Sequence, residues 1–265
     1  MISKYINYWI SINGVAQIFE IFDKQKIDIR FVGGCIRDAL LGNINSDIDL
    51  AVNCNPDHTS KILNQNNIVF LEYGKQYGTI TAVIEKKNYE ITSLREDINP
   101  TGRYTEIKFT NDWYRDALRR DFTFNAINIS SAGKVGDYFN GQQDIKNQQV
   151  KFIGSINDRI QQDYLRILRY FRFLGLFKNP NFIHGYEEVL YKNLPQLRKH
   201  VPNYRIRDEL LKMLKNEFKM NSIFKQQNYN EINILISMIR KWWIEDSYEL
   251  GLNKCMNKID SLVVN

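Results

Sequence analysis

Cysteine is scarce in this 265-residue chain: Cys35, Cys54 and Cys255 are the whole complement. An odd number without metal-ligand spacing argues against a disulfide framework or a zinc cluster, and suits small buried hydrophobes in a reducing compartment. No apolar run approaches the roughly 18 residues that a membrane helix needs, so no membrane partner is expected. The opening MISKYINYWISING carries one lysine and lacks the layout of a signal peptide. A cytoplasmic location follows, with an organelle matrix left open. No G-x-x-x-x-G-K-[ST] sequence occurs, which removes a Walker A loop. Internal repeats and low-complexity linkers are also missing.

What the chain does have is enough apolar residues, 43% against 25% charged, for a sizeable core in one or two domains. Its formal net charge of +6 suits a phosphate-rich partner, although an ordinary basic protein has the same balance. Periodicity changes character near residue 140. DIRFVGG, GTITAVIE, NYEITSL and TEIKF alternate or run apolar and read as strands. After Gly154 the pattern is helical: DRIQQDYLRILRYFRFLGLF places Ile160, Tyr164, Leu168 and Phe171 at three- and four-residue intervals, and NYRIRDELLKMLKNEF continues it. Pro180, Pro195 and Pro202 read as punctuation between helices. The expectation is an α+β head followed by an all-α region.

One segment carries the chemistry. In FVGGCIRDALLGNINSDIDLAV (Phe31 to Val52) an apolar strand enters a Gly-Gly turn, then a helix opening with Arg37, then Asp47 and Asp49 flanking Ile48. Residues two apart in a strand share a face, so both carboxylates project together while Ile48 and Leu50 enter the core. That pattern predicts a divalent-metal site. Gly33 and Gly34 let backbone N–H groups approach a phosphate. Taken singly, Gly-Gly is a common turn and Asp-x-Asp a solvated loop or cap. An EF-hand loop is excluded because Ala51 sits where a third oxygen ligand is needed.

This segment resembles the nucleotidyltransferase signature of the DNA polymerase beta superfamily. YEITSLRED (Tyr89 to Asp97), RRDFTFNAI (Arg119 to Ile127), DYFNGQQDIKNQQVKFIG (Asp137 to Gly154), RIQQDYLRILRYFRF (Arg159 to Phe173) and RIRDELLKML (Arg205 to Leu214) narrow the resemblance to class II tRNA nucleotidyltransferases, the CCA-adding enzymes, with bacterial poly(A) polymerases as close relatives. The similarity spans roughly residues 27 to 216. It implies a polymerase beta-like head with a twisted sheet and flanking helices at 1–145, a helical neck at 146–216 and a shortened helical body at 217–265. The implied activity is template-free addition of C, C and A to the tRNA 3′ end from CTP and ATP, with release of pyrophosphate. A partial (CC- or A-adding) enzyme, a poly(A) polymerase and an inactive RNA-binding relative are the alternatives. Homodimerisation stays open.

Residue by residue, the resemblance implies that Asp47 and Asp49 bridge two Mg²⁺ ions, with Glu90 as third carboxylate; alone, Glu90 also reads as an exposed strand residue. Arg37 and Arg120 are the expected phosphate clamps, since a guanidinium presents a fixed fork of donors. Asn125 resembles the family asparagine near sugar or phosphates, though Asn also caps turns. In the neck, Asp163, Arg166, Arg169 and Arg172 lie three apart along one side of an expected helix. A carboxylate accepts from an exocyclic amino group and an arginine donates to ring acceptors, so an Asp–Arg pair suits cytosine and adenine and rejects uracil and guanine. On periodicity alone the stripe equally reads as a solvated basic face with an Asp163–Arg166 ion pair. REDINPTGRYTEIKFTNDW (Arg95 to Trp113) reads as a mobile loop bearing Arg103, similar to the family's flexible loop. Two departures stand out: Gln162 precedes Asp163 where relatives carry Glu, and Thr101 replaces a common acid. The chain also ends soon after RIRDELLKML, where Trp242 and Trp243 read as a packed remnant of the body.

Overall fold

The computed structural model describes residues 2–43, 47–101 and 104–214. Arg103, Trp242, Trp243, Cys255 and the body segment 217–265 lie outside the described residues. The described chain divides into two compact units: residues up to Pro100 with Tyr104–Ile145, and residues from Lys146 onward with Thr101.

The first unit opens with two amphipathic helices, α1 (Ile2–Ser11) and α2 (Asn13–Lys24). They bury Trp9, Ile18, Phe19 and Phe22 against β1 (Ile29–Val32). The fully buried Phe31 is the focus: its ring centroid lies 4.9 Å from that of Trp9 and 4.8 Å from that of Phe19. Next come α3 (Gly34–Leu40), β2 (Asp49–Val52) and α4 (Pro56–Gln65), the last begun by Asn55, whose side chain accepts from the His58 N–H at 2.8 Å. β3 (Val69–Leu71), β4 (Thr79–Ile84) and β5 (Lys87–Ser93) follow. β4 shows the expected alternation, with Ile80, Ala82 and Ile84 buried.

β6 (Arg95–Thr101) and β7 (Tyr104–Phe109) form a separate two-stranded sheet. Its arms therefore replace most of the mobile loop expected between Arg95 and Trp113. Alternating, β-prone residues such as those of TEIKF satisfy their backbone groups by pairing. Then come α5 (Trp113–Leu118), β8 (Asn128–Ser130), β9 (Val135–Gly136) and α6 (Gly141–Lys146). The main sheet runs β3-β4-β5-β2-β1-β8-β9, and only the β2/β5 pair is parallel.

The second unit holds α7 (Ile156–Gln162), α8 (Arg166–Leu174), α9 (Tyr186–His200) and α10 (Asn203–Leu214). Phe152, Tyr170 and Tyr186 pack ring to ring with centroids 5.7–5.9 Å apart, and Ile167, Leu168 and Phe171 are buried beside them. Two expectations change here. The long helix through DYLRIL is broken at 163–165, because Asp163 is extended (φ −154°) and its carboxylate accepts from the Leu165 N–H at 3.1 Å. A short polar side chain that bonds nearby backbone competes with helix. Pro195 lies inside α9 rather than between helices; burial of Leu190 and Leu197 on either side of it favours the helix despite the lost N–H.

Replacing Phe31 with Ala empties the space between Trp9 and Phe19. Stability is expected to fall by about 3–5 kcal/mol in chemical denaturation.

Candidate active site

The site grows from the junction of three strands. Antiparallel pairing sets Phe31 opposite Leu50, so the end of β1 meets the start of β2. Parallel pairing sets Asp49 opposite Glu90 on β5. Leu50, Ala51 and Val52 are all buried and anchor Asp49 at the strand's mouth, while Glu90 stands exposed between buried Tyr89 and Ile91. Asp47, expected on the strand, is exposed and precedes it, and Ile48 is only half-buried. The ladder thus orders Asp49 and Glu90 directly.

Gly33 and Gly34 lie in the angle between β1 and α3. Gly33 has φ +68°, a conformation that disfavours any side chain. A Cβ there would stand 3.2 Å from Arg120 Nη1 and 3.9 Å from Asp49 Oδ2. One on Gly34 would stand 3.6 Å from Asp49 Oδ2 and 3.7 Å from Arg37 Nη2. The bare glycine backbone is therefore walled by a carboxylate on one side and two guanidiniums on the other. Arg37 belongs to the last turn of α3 and does not open it.

Both arginines are braced by Asn125, which the sequence reading named, and by Asp38 and Asp116, which it did not. Asp38 accepts from Arg37 Nε at 2.9 Å and from Nη2 at 3.0 Å. Asn125 links the pair: its side-chain oxygen accepts from Arg37 Nη1 at 2.9 Å and its backbone carbonyl from Arg120 Nη1 at 3.1 Å. Its own amide donates to Asp121 Oδ1 at 3.0 Å. Asn125 therefore sets the spacing of the guanidiniums, beyond the phosphate contact or turn cap expected of it. Asp116, 3% exposed, takes Arg120 through Nε at 3.1 Å and Nη2 at 3.0 Å. Burial pushes its carboxyl up, but Arg120 and Arg119 outweigh that and hold it below the usual range. The signal for Asp116 was its three- and four-residue spacing from Arg119 and Arg120, which a helix turns into contacts.

Negative charge is crowded at Asp49. Burial, then Glu90 and to a lesser degree Asp47, raise its pKa from 3.8 to about 6 against the opposing pull of Arg120 and Arg37. The donors are all hard oxygens, and crowding of this kind is relieved by a divalent cation. Among the described residues no three of His, Cys, Asp and Glu are already gathered as a cluster. Mg²⁺ does not require one, because it commonly takes one or two carboxylates and completes its shell with water and substrate phosphate. The residues fit such an ion.

The second unit carries the other candidates. Asp163 is held by Arg205 of α10, whose Nη2 donates to Oδ2 at 3.0 Å. Arg166 Nη1 donates to the Arg159 carbonyl at 2.7 Å and to Gln162 Oε1 at 3.0 Å. Gln162 also accepts from Arg159 at 2.8 Å, so the amide that replaces the family's acid still organises two arginines. Arg169 lies over the Phe173 ring at 5.5 Å; Arg172 pairs with Glu209, which is 2% exposed, and covers the same ring at 4.1 Å. Because the helix restarts at Arg166, Asp163 does not share a helical stripe with the three arginines.

A carboxyl whose folded pKa exceeds its unfolded value costs stability above the folded pKa and nothing below the unfolded one. Without divalent ions Asp49→Asn should therefore stabilise the protein at neutral pH, by up to about 3 kcal/mol. The gain should shrink as pH falls from about 6 toward 3.8. In melting experiments Mg²⁺ should stabilise the parent chain and not the variant.

Residues 29–151 match the poly(A) polymerase head domain family. The mitochondrial CCA tRNA nucleotidyltransferase 1 of Homo sapiens is 36% identical over 255 residues, 95% of this chain and 56% of that protein. A CCA-adding enzyme of Staphylococcus aureus is 38% identical over 59% of this chain and 38% of its own length. Among solved structures, the Bacillus stearothermophilus CCA-adding enzyme in complex with CTP superposes with a TM-score of 0.69 at 28% identity, covering 78% of this chain and 49% of that one. The chain spans about half the length of the curated relatives it matches. With a head built on Gly33, Gly34, Asp49 and Glu90 and these likenesses beyond it, the chain belongs to the class II tRNA nucleotidyltransferases of the DNA polymerase beta superfamily.

Proposed function

We propose that this chain adds C, C and A to the 3′ end of tRNA from CTP and ATP without a nucleic-acid template, releasing pyrophosphate. The observation that carries the reading is the placement of Asp49, set opposite Glu90, beside Gly33, Gly34, Arg37 and Arg120. Phosphate, metal and attacking hydroxyl all need to meet there. The names of the human and staphylococcal relatives support this chemistry over other nucleotidyl transfers.

In this reading the glycine backbone admits the triphosphate closely, and Arg37 and Arg120 orient it and neutralise charge as the leaving group departs. Asp47, Asp49 and Glu90 would hold two divalent ions, which when bound would supply Lewis acidity toward the α-phosphate and the primer hydroxyl. Asn125 keeps the two arginines at fixed separation. Asp163 accepts the amino group of cytosine or adenine while Arg166 donates to the neighbouring ring acceptor. Arg205 and Gln162 fix those two side chains before the base arrives, which limits ordering cost. Arg169 is assigned to the same nucleotide subsite. Arg172 joins that assignment through α8, with its guanidinium already on Glu209.

Among the described residues no helix is long and apolar enough to cross a membrane. The zebrafish, human and mouse relatives are named as mitochondrial; we place the reaction in the cytoplasm or an organelle matrix.

The deciding experiment incubates the protein with tRNA lacking CCA and each labelled nucleotide, singly and in pairs, and sequences the extended ends. Asp49→Ala should abolish CMP and AMP incorporation alike while leaving tRNA affinity near normal; retention of either activity would remove these carboxylates from the reaction. Asp163→Ala should erode the preference for CTP over UTP by about tenfold, the loss of roughly one mispaired buried polar contact. Equal loss across all four nucleotides would make Asp163 structural only. Removing residues 99–106, which include Arg103, should leave CC addition largely intact and suppress terminal AMP, and proportional loss of both steps would sink the loop's role.

A further inference from the structure

Arg95 lies in the YEITSLRED motif yet takes no part in the cleft described above. It opens β6, and its backbone N–H donates to Asp116 Oδ1 at 3.3 Å. The same oxygen takes Arg119, through Nε at 2.9 Å and Nη2 at 2.8 Å. The other oxygen of Asp116 takes Arg120, the guanidinium beside Gly33. One buried carboxylate thus gathers Arg119, Arg120 and the start of β6.

The second carboxylate nearby, Asp97, approaches Arg95 Nε only to 3.7 Å, outside hydrogen-bond range. Both that nitrogen and Asp97 Oδ1 are buried without a hydrogen-bond partner. Arg95 Nη1 donates to the Tyr77 carbonyl, and Glu96 is taken by Arg115 at 3.0 and 3.1 Å. Three guanidiniums, those of Arg95, Arg119 and Arg120, thus gather around Asp116 and Asp97, with Arg120 also opposed to Asp49, and Arg95 Nε is left without a hydrogen bond. Burial, followed by Arg119, pulls the Arg95 guanidinium down to about 10 against the opposing pull of Asp97 and Asp116. A fold gains nothing from an unmet buried donor between like charges. A tetrahedral dianion supplies what is missing, since its several oxygens can accept from the remaining donors of more than one guanidinium.

We propose that Arg95 and Arg119 form an anion subsite for a phosphate group, coupled to the Arg120 clamp through their shared ligand Asp116. The subsite extends the phosphate-binding reading of Arg120. Its phosphate comes from one of two sources, the tail of the nucleotide with the pyrophosphate it becomes, or the backbone of the RNA primer.

The test uses the full chain, without divalent ions and without turnover, so its outcome is independent of whether CMP and AMP are transferred. Tripolyphosphate and tRNA lacking CCA are the two probes, and binding is measured for the parent, Arg95→Met, Arg95→Lys and Arg119→Gln. Arg95→Met should melt at a higher temperature than the parent, because the unmet donor and the repulsion are gone, yet bind one probe at least about tenfold more weakly. Arg95→Lys keeps the charge and should retain most of that binding. Loss confined to tripolyphosphate assigns the subsite to the nucleotide tail. Loss confined to tRNA, with a salt dependence reduced by about one phosphate contact, assigns it to the RNA backbone. Unchanged affinity for both probes overturns the proposal, as does a lower melting temperature of Arg95→Met with intact binding. If Arg95→Met does not fold, the affinities of Arg119→Gln decide by the same criteria.

Discussion

The placement of one carboxylate at a strand junction governs this molecule. Asp49 begins β2, the strand that pairs antiparallel with β1 on one side and parallel with β5 on the other. The antiparallel pairing brings the Gly33 turn to its side, and the parallel pairing brings Glu90. A one-residue slip in either ladder would turn Asp49 into the core and Leu50 into the cleft. The register is protected by burial of Phe31, Leu50, Ala51, Val52 and Ile91. Aromatic packing under β1 and the geometry of the cleft are thus one constraint seen from two sides.

Around that carboxylate, the head balances charge in opposite ways at two places. At Asp49 the excess is negative, with Glu90 and Asp47 nearby, and the carboxyl is driven up to about 6. Around Asp116 two guanidiniums, those of Arg119 and Arg120, and the Arg95 backbone N–H share one buried acid. Arg120 belongs to both neighbourhoods, since Asp116 holds one edge of its guanidinium while Nη1 reaches the Asn125 carbonyl beside Gly33. Neither imbalance helps the fold by itself. Together they are the two charge environments on which the proposed metal and nucleotide binding rests.

The second unit shows how a cap can outrank periodicity. Ile160, Tyr164, Leu168 and Phe171 are spaced as one helix, and the chain would gain backbone bonds by continuing through Asp163. Instead Asp163 turns extended, bonds the Leu165 N–H and meets Arg205, while Arg166 restarts the helix under the hold of Gln162 and the Arg159 carbonyl. The break separates an acceptor from a donor and fixes each against a different partner.

Local sequence was sufficient for what depends on neighbours along the chain. The strands DIRFVGG, GTITAVIE, NYEITSL and TEIKF, the glycine turn and the helical character after Gly154 follow from periods of two and of three to four residues, which express themselves wherever the chain is placed. The register that sets Asp49 across from Glu90 was not legible, because it joins residues 41 apart through cores on both faces of β2. The bracing of Arg37 and Arg120 by Asn125, the hold of Arg205 on Asp163 and the helix break before Arg166 were equally hidden. Each depends on which of several competing polar partners comes within hydrogen-bond distance, and that choice exists only once distant segments have packed.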